Sequence, residues 1–440
     1  MNVVEAVVEK GFCSGCGLCA GVCPQKILET SFDQDGNLVP GLAGFCADCG
    51  LCVSVCPFSG IGDSLDKATR DTFGEIPGVS RGEVSGFTLS FWEGCAATGG
   101  YRQRGASGGM ASWFLARVLE DGLAESVVAV GPAEAPERFW SFREVVRPED
   151  VSLLAGSVYH PVSVENAVQQ ILDGPNRRYA VMALPCLAYG LRKAMKLVPE
   201  LGERIVLVAS LACGMLPNRG YTKYVSLESG ILPADTLRVD FRYPPENTES
   251  GNFRHVAIAL TGNQGRPVPL RGMPDFLWKH LAFQQGGCLI CDDVFGEAAD
   301  VVFMDAWLPE YEHDPRGNSV VVCRTPETDA MLRKATEDGE CALKETTRDR
   351  LMNSQTETLM LKRTLLAGRL AEMQAEGVAF PERRVGPSTD ILERNRPYFE
   401  TCRAARSTAQ ISGLECFEDL KVFRKIMKEL AEKEKESGRS

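Results

Sequence analysis

The sequence has no excess of basic residues and no apolar run long enough to cross a bilayer. Its 440 residues carry 48 Lys and Arg against 59 Asp and Glu, a net charge of −11, whereas nucleic-acid-binding proteins usually carry a basic stripe. The longest apolar stretches, such as 205–212, are far shorter than the ~20 residues of a transmembrane helix. The chain also shows no export signal, so we expect a cytoplasmic protein without disulfides, nucleic acid or transmembrane segments.

Cysteine, in contrast, is abundant, and eight of the 17 cysteines lie within the first 56 residues. They form two runs with the same spacing, C-x2-C-x2-C-x3-C-P, which is typical of ferredoxins with two 4Fe-4S clusters. In that arrangement the fourth cysteine of each run binds the other cluster. The ligands predicted for one cluster are Cys13, Cys16, Cys19 and Cys56. The ligands predicted for the other are Cys46, Cys49, Cys52 and Cys23.

Two other interpretations of these cysteines are weaker. Disulfides are not expected in a chain without an export signal. Zinc sites usually combine two CxxC pairs, and not a triplet with a distant fourth cysteine. The duplicated spacing therefore favours two iron–sulfur clusters.

The rest of the chain is long enough for one or two further domains at ~150 residues each. We predict a ferredoxin-like α+β module at residues 1–62, a connector at 63–86, an α/β domain at 87–345 and a helical C-terminal region at 346–440. Within the α/β domain, apolar β-branched runs alternate with helical patterns, which indicates a mixed, largely parallel sheet covered by helices. The predicted strands are 126–131, 179–184, 205–211, 237–241, 256–260, 301–304 and 319–323. The predicted helices are 109–120, 164–172, 187–196, 221–227, 273–285 and 418–436.

Four later cysteines occupy positions suited to ligands. Cys186 and Cys213 each follow a predicted strand, and the carboxyl ends of parallel strands are where ligands collect. Cys288 and Cys291 form a CxxC pair. Together these thiols are sufficient for a third 4Fe-4S cluster, but the spacing alone equally allows Cys186 and Cys213 to be buried structural thiols.

A glycine-rich loop precedes the predicted helix at 109–120. Such a loop presents free amides and the positive end of a helix dipole to phosphates, and Arg104, Ser107, Gly108 and Gly109 are the candidate contacts. A flexible loop with a helix cap at Ser107 is the alternative. Because clusters carry single electrons, an enzyme that contains several of them usually needs a flavin to combine those electrons into pairs. The loop is therefore a candidate FAD site.

The α/β part resembles the coenzyme F420 hydrogenase/dehydrogenase beta-subunit family, whose members are FAD-containing iron–sulfur proteins. The similarity extends over residues 101–335. The matching segments are 105–110, 119–122, 155–159, 184–187, 191–193, 213–214, 241–242, 288–292, 299–300, 304–307 and 317–319. The sequence departs from the family pattern at 183–184, 187, 304 and 318, near the expected flavin edge.

The resemblance implies a third cluster bound by Cys186, Cys213, Cys288 and Cys291, together with FAD. It also implies that Ser157, Tyr159 and Pro185 line the flavin pocket, while His160 could donate to a substrate or be structural. The expected activity is electron transfer between clusters and FAD, with hydride exchange to coenzyme F420 or another organic acceptor and no catalytic side chain required.

Three other functions are compatible with the sequence. One is a non-catalytic electron-transfer subunit that works with a ferredoxin, hydrogenase or dehydrogenase partner. Another is a reductase of a different conjugated substrate, and the last is a structural or regulatory iron–sulfur protein without flavin. An open pocket beside the flavin would favour an enzyme over a simple electron carrier.

Overall fold

The computed structural model describes residues 1–134, 139–243, 257–262, 265, 267–270 and 275–437. The N-terminal module repeats one local design, as its cysteine spacing predicts. In each run a glycine with a left-handed backbone, Gly17 (φ 74°) or Gly50 (φ 73°), precedes a short helix that carries the third cysteine. Other residues would be strained at these two positions. The elements of the module are a π-helical turn Val4–Val8, helices α1 Leu18–Gly21 and α2 Leu51–Val55, and antiparallel strands β1 Leu28–Phe32 and β2 Leu38–Leu42.

The segment predicted as a connector contains regular structure. Helix α3, Leu65–Phe73, begins at Ser64, whose side chain accepts a hydrogen bond from the amide of Lys67, as N-cap serines do. Strands β3 Ser80–Gly82 and β4 Gly86–Thr88 follow as a small antiparallel pair.

The remaining elements alternate through the α/β domain and become helical towards the C-terminus. The strands are β5 Ser90–Ala96, β6 Ser126–Pro132, β7 Trp140–Val145, β8 Tyr179–Ala183, β9 Ile205–Leu211, β10 Thr236–Tyr243, β11 Ala257–Gly262, β12 Pro267–Leu270, β13 Val301–Asp305, β14 Ser319–Cys323 and β15 Cys341–Glu345. The helices are α4 Tyr101–Arg104, α5 Met110–Glu120, α6 Glu165–Asp173, α7 Pro185–Leu197, α8 Pro199–Arg204, α9 Arg219–Glu228, α10 Asp275–Lys279, α11 Pro326–Glu337, α12 Arg348–Ser354, α13 Thr356–Leu359, α14 Leu365–Ala375, α15 Thr389–Arg394, α16 Arg396–Ile411 and α17 Phe417–Ser437.

Eight strands form one mixed sheet in the order β15-β5-β14-β13-β9-β8-β6-β7. Its central strands β13, β9, β8 and β6 are mutually parallel, and antiparallel strands flank them on both sides. The expected mixed sheet with a parallel centre is confirmed. The carboxyl ends of β8 and β9 therefore lie at the same edge, just before Cys186 and Cys213.

The central sheet is covered on both faces. Successive residues of a strand point to opposite sides, so Val181 of β8 packs with helices α6 and α7, whereas Ala180 packs with α5 and α11. The core on the α6–α7 side also contains Leu18 and Val55 of the N-terminal module. The module is thus part of the covering layer of the sheet.

Strands β10, β11 and β12 form a separate antiparallel sheet. Strands β10 and β11 correspond to the predicted strands 237–241 and 256–260, of which residue 256 lies outside the described residues, whereas β12 was not predicted. These strands do not join the main sheet. They share a core with α9, α16 and α17, in which Phe241 and Phe423 are fully buried.

One predicted helix is much shorter than expected. Residues 273 and 274 of the predicted helix 273–285 lie outside the described part of the chain, and α10 ends at Lys279. Leu281 then has a left-handed backbone with φ 57°, which is incompatible with continued α-helix. Directly after the predicted helix, Gly286–Ile290 forms a 3-10 turn that carries Cys288, and Cys291 follows this turn.

The contact between the module and the α/β domain requires small residues. An added Cβ on Gly17 would lie 1.9 Å from the Ser163 hydroxyl, and one on Gly190 of α7 would lie 2.8 Å from Leu18. Backbone hydrogen bonds cross the same contact, from the Val164 amide to the Cys16 carbonyl at 2.8 Å and from the Gly287 amide to the Cys13 carbonyl at 2.9 Å. The first cysteine run is therefore held directly against the α/β domain.

Among the helices that the structure describes, none is both long and apolar enough to cross a membrane.

Candidate functional site

The outermost group of thiols lies in the N-terminal module, at a small cavity near the surface. Four cysteines line this cavity, and Cys23 from the first run is among them. The other three are Cys46, Cys49 and Cys52 of the second run. Cys49 is exposed to solvent, whereas Cys52 is buried. The fold therefore brings Cys23 across to the second run, as the predicted ligand exchange requires.

A second, inner group contains Cys13, Cys16, Cys19 and Cys56. Burial raises the pKa of the Cys19 thiol well above its usual value, and the nearby thiolates Cys16, Cys13 and Cys56 raise it further. Burial likewise raises the pKa of Cys56 to about 12, with Cys16 contributing next. Thiols in such surroundings ionise only when cationic metal centres compensate their charge. This donor set fits an iron–sulfur cluster.

The third group is assembled from separate elements. Cys186 lies in the first turn of α7, Cys213 follows β9, and Cys288 and Cys291 lie in and after the 3-10 turn. Burial raises the pKa of Cys186 well above its usual value, and the thiolates Cys291, Cys16, Cys288 and Cys213 add to this effect. The four sulfurs are thus close enough for their charges to interact. Cys16 links this group to the inner one.

Among the residues that the structure describes, no three His, Cys, Asp or Glu side chains converge closely enough to hold a single metal ion.

Two buried lysines lie beside these groups, and the sequence pattern assigned a role to neither. Lys193 of α7 donates to the backbone carbonyls of Cys56 at 3.0 Å and Ile61 at 2.7 Å, and burial lowers its pKa to about 8. Lys362, in the C-terminal region, donates to the carbonyls of Cys213 and Asp293. Burial lowers the pKa of Lys362, but the thiolates of Cys291, Cys213 and Cys288 outweigh burial, and the net pKa is raised. Lys193 lies in the matching segment 191–193, but that segment does not mark it as a neighbour of the thiols, and Lys362 lies outside every matching segment.

A cleft of about 480 Å³ opens at the carboxyl edge of the parallel strands. Predicted cluster ligands from two groups, Cys16, Cys186 and Cys213, line it. Four of the residues predicted to contact FAD also line it, namely Ser107, Gly109, Ser157 and Tyr159. Its volume lies within the 300–1,000 Å³ range of cofactor sites. One cleft therefore connects two thiol groups with the glycine-rich loop.

The glycine-rich loop is closely packed at the entrance to α5. Gly108 and Gly109 have left-handed backbones, with φ 65° and 73°. An added Cβ on Gly109 would lie 2.5 Å from the amide nitrogen of Arg102, so only glycine fits. The N-cap of α5 is Gly109, and not Ser107. The Ser107 hydroxyl donates to the Asn318 carbonyl at 2.9 Å. Ala111 and Ser112 of the first turn of α5 line the cleft, so this helix N-terminus faces it.

Three other predicted FAD contacts are not among the residues that line the cleft: Arg104, Gly108 and Pro185. The Arg104 guanidinium donates to the Gly99 carbonyl at 2.6 Å and lies over the Tyr101 ring. Pro185 is buried as the first residue of α7. These two residues shape the neighbouring loop and helix.

Arg242 is the arginine that enters the cleft. Its guanidinium pairs with both carboxylate oxygens of Asp305, at 3.0 and 2.5 Å, and donates to the Ala106 carbonyl at 3.3 Å. It therefore links the separate sheet, the end of β13 and the glycine-rich loop. In the sequence, Phe241–Arg242 could be recognised only as a matching segment. Its pairing with Asp305 could not be predicted, because the two residues are 63 positions apart in the chain.

Aromatic rings form one wall of the cleft. Tyr159 packs edge-on against Phe241 at 5.6 Å and Trp278 at 5.3 Å between ring centroids. His160 also lines the cleft, although it is largely buried, and its Nδ1 lies 2.7 Å from the Thr222 hydroxyl. Burial, followed by the charge of Arg219, lowers the pKa of His160 to about 3. A neutral imidazole held in this way supports the wall.

Family models match most of the chain. The coenzyme F420 hydrogenase/dehydrogenase beta subunit N-terminal model covers residues 91–169, the C-terminal model covers 176–349, and a 4Fe-4S dicluster domain covers 12–60. The chain belongs to the coenzyme F420 hydrogenase/dehydrogenase beta-subunit family. Within this family it carries an N-terminal 4Fe-4S dicluster domain, so it is an iron–sulfur electron-transfer protein. The matched segments end at residue 349 and leave Lys362 outside them.

Known relatives agree with this membership. The chain is 26% identical over 241 residues to the coenzyme F420 hydrogenase subunit beta of Methanothermobacter thermautotrophicus. The aligned region covers 53% of this chain and 75% of that subunit. Its fold is similar to a chain of the F420-reducing NiFe hydrogenase complex from Methanosarcina barkeri, with a TM-score of 0.50 and 17% identity. That match covers 67% of this chain and 96% of the other. At this identity the likeness concerns the fold alone.

Proposed function

We propose that the protein is an iron–sulfur flavoprotein oxidoreductase that passes electrons between three 4Fe-4S clusters and FAD, and exchanges a hydride with coenzyme F420 or another organic molecule. The observation that carries this proposal is the shared cleft. It is lined by the predicted cluster ligands Cys16, Cys186 and Cys213 and by four predicted FAD contacts.

The order of the thiol groups supports an electron path through the chain. The outer group lies near the surface, where Cys49 is exposed, and a redox partner protein can approach it there. The inner group contains no exposed cysteine and adjoins the third group through Cys16 and Cys186. The inner group and the third group both reach the cleft. The path therefore leads from the exposed outer group towards the flavin site.

The residues of the cleft fit a flavin dinucleotide. The N-terminus of α5 and its left-handed glycines offer a place for a pyrophosphate, while the wall of Tyr159, Phe241 and Trp278 offers apolar faces to flat rings. When bound, FAD supplies the conversion between single electrons and hydride. The chain itself would hold the ring against the aromatic wall, and it positions Arg242 through Asp305.

A non-catalytic electron-transfer subunit is the second candidate. The Methanothermobacter relative is named as a subunit of a hydrogenase, and the exposed outer thiol group suits transfer to a partner protein. In that case the cleft would hold FAD but admit no organic substrate. Stopped-flow oxidation of the reduced protein by coenzyme F420 tests this candidate, because oxidation without a partner protein would refute it.

Cofactor stoichiometry tests the main proposal. Purified without oxygen, the protein should contain about 12 iron atoms, an equal amount of labile sulfide and one FAD per chain, from three clusters of four irons. Eight irons and no flavin would refute both the third cluster and the flavin site.

A pair of glycine variants tests where FAD binds. Gly109→Ala places a Cβ against the backbone of Arg102 and should abolish FAD binding while iron stays at about 12 per chain. Gly386→Ala is the matched control, because nothing lies within 4 Å of its added Cβ, and it should retain both cofactors. Normal FAD content in Gly109→Ala would refute the loop as the FAD site.

A further inference from the structure

The C-terminal region contributes to the third thiol group from outside the matched family segments. Lys362 lies in a π-helical turn, Met360–Thr364, between α13 and α14. Such turns inside α-helices are uncommon and often occur at functional sites. The side chain of Lys362 is 4% exposed, so the turn places an ammonium group in the interior.

The hydrogen bonds of this ammonium lead to the third group. Its Nζ donates to the backbone carbonyl of Cys213, a predicted ligand, at 3.2 Å. It also donates to the carbonyl of Asp293, two residues after the predicted ligand Cys291. These bonds fix the ammonium between two of the segments that assemble the group.

Carbonyl groups alone do not compensate a buried positive charge, which is costly unless it is paired. No carboxylate forms an ion pair with Lys362 within the part of the chain that the structure describes. The nearby cations differ in this respect, since Arg384 pairs with Glu297 and Asp292, and Arg363 with Glu297. The negative charges that face Lys362 are the thiolates of Cys291, Cys213 and Cys288, together with Asp293.

We propose that Lys362 is a positioning residue that raises the reduction potential of the third cluster by placing a fixed positive charge beside its thiolates. This inference rests on the third cluster of the proposed function. The equilibrium concerned is the transfer of one electron between the inner and third clusters, in which one is oxidised as the other is reduced and no proton is exchanged. A buried cation favours the more negative, reduced state.

Charge removal with retention of size tests the proposal. In the complete protein, Lys362→Met should shift the reduction equilibrium of the third cluster at least tenfold towards oxidation, which is ~59 mV more negative for a one-electron couple. Lys362→Arg keeps the charge and should remain near the wild-type potential. Potentiometric titration followed by EPR spectroscopy measures all three clusters in each sample.

Lys193→Met is the matched control, because this second buried lysine donates to the carbonyl of Cys56 in the inner group. It should shift the inner cluster and leave the third unchanged. An unchanged third-cluster potential in Lys362→Met would overturn the proposal, as would loss of the third cluster in both Lys362 variants, since charge would then not be the property that matters. Eight irons in the wild-type protein would instead refute the third cluster, and with it the proposed function.

Discussion

The N-terminal module and the α/β domain both gather cysteines, but they do so by different means. In the module, each run of four cysteines lies within 11 residues and repeats a glycine-capped turn that is set by local sequence. In the α/β domain, Cys186 and Cys291 meet across 105 residues because parallel strands end at one edge and a 3-10 turn returns to it. Local spacing determines the first kind of site, and chain topology determines the second.

The two regions also differ in their access to solvent. The outer thiol group of the module includes the exposed Cys49, and Phe45 beside it is 88% exposed. The third group lies between α7, the 3-10 turn and the π-helical turn that carries Lys362, and it faces the cleft through Cys186 and Cys213. Under the proposed function, the module would exchange electrons with another protein, and the α/β domain with a ligand in the cleft.

The largest expected effect is the loss of the proposed third cluster when one of its thiols is removed, because the clusters of the module should remain. Cys186→Ala should lose about four irons per chain and the third cluster's EPR signal, while both ferredoxin-type signals persist because their ligands lie in the module. The exposed Cys416 provides the control, and Cys416→Ala should keep every iron. Persistence of all three signals in Cys186→Ala would show that Cys186 is not a ligand.

A smaller effect is expected from a substitution that weakens the contact between the two regions and leaves every predicted cluster ligand unchanged. Gly190→Leu should force Leu18 of the module away from α7, where even a Cβ would lie 2.8 Å from it. Overpacking of this kind costs ~1–3 kcal/mol of stability, and we expect full iron content but slower electron transfer from the module to the third cluster.

Rapid-freeze EPR after mixing with a reduced ferredoxin measures that transfer. The control is Gly41→Leu in β2, where an added Cβ meets nothing within 4 Å. Equal transfer rates in Gly190→Leu and in the wild type would contradict the role of this contact.

The same contrast explains what the sequence could predict. The spacing of the eight N-terminal cysteines is local, so it predicts that Cys23 joins the second run as a ligand, and in the structure Cys23 lines one cavity with the cysteines of that run. Apolar periodicity likewise anticipates α5, α7 and the parallel strands β8 and β9 to within one or two residues. Patterns of this kind depend on neighbours in the chain.

Features set by distant partners were not predictable in this way. Strands β7 and β15 lie at the edges of the sheet and lack a continuous apolar run. Arg242 gains its place from Asp305, and Lys362 from Cys213, contacts that span 63 and 149 residues. Arg104 looked suited to phosphate because of its glycine-rich neighbours, but its own short helix turns its side chain back to Gly99.

The smallest expected effect concerns a residue at the boundary between the two regions. His160 of the α/β domain packs edge-on against Phe32 of the module at 5.5 Å between ring centroids. Burial, with a smaller contribution from Arg219, lowers the pKa of His160 to about 3, against about 6.5 in an unfolded chain. Below pH 6.5 the unfolded state therefore binds a proton that the folded state does not, so this residue favours folding less as the pH falls from 6.5 towards 3.

His160→Gln removes this titration. From pH 7.5 to 5.5 the wild-type protein should lose about 1 kcal/mol of stability relative to the variant, since each pH unit in this window is worth at most ~1.4 kcal/mol. Urea unfolding followed by tryptophan fluorescence at each pH gives the difference, and comparison with the variant cancels acid effects on the clusters. A difference that does not change with pH would mean that His160 binds a proton equally well in the folded and unfolded states, and that the boundary between module and α/β domain is not the dry contact that its aromatic neighbours indicate.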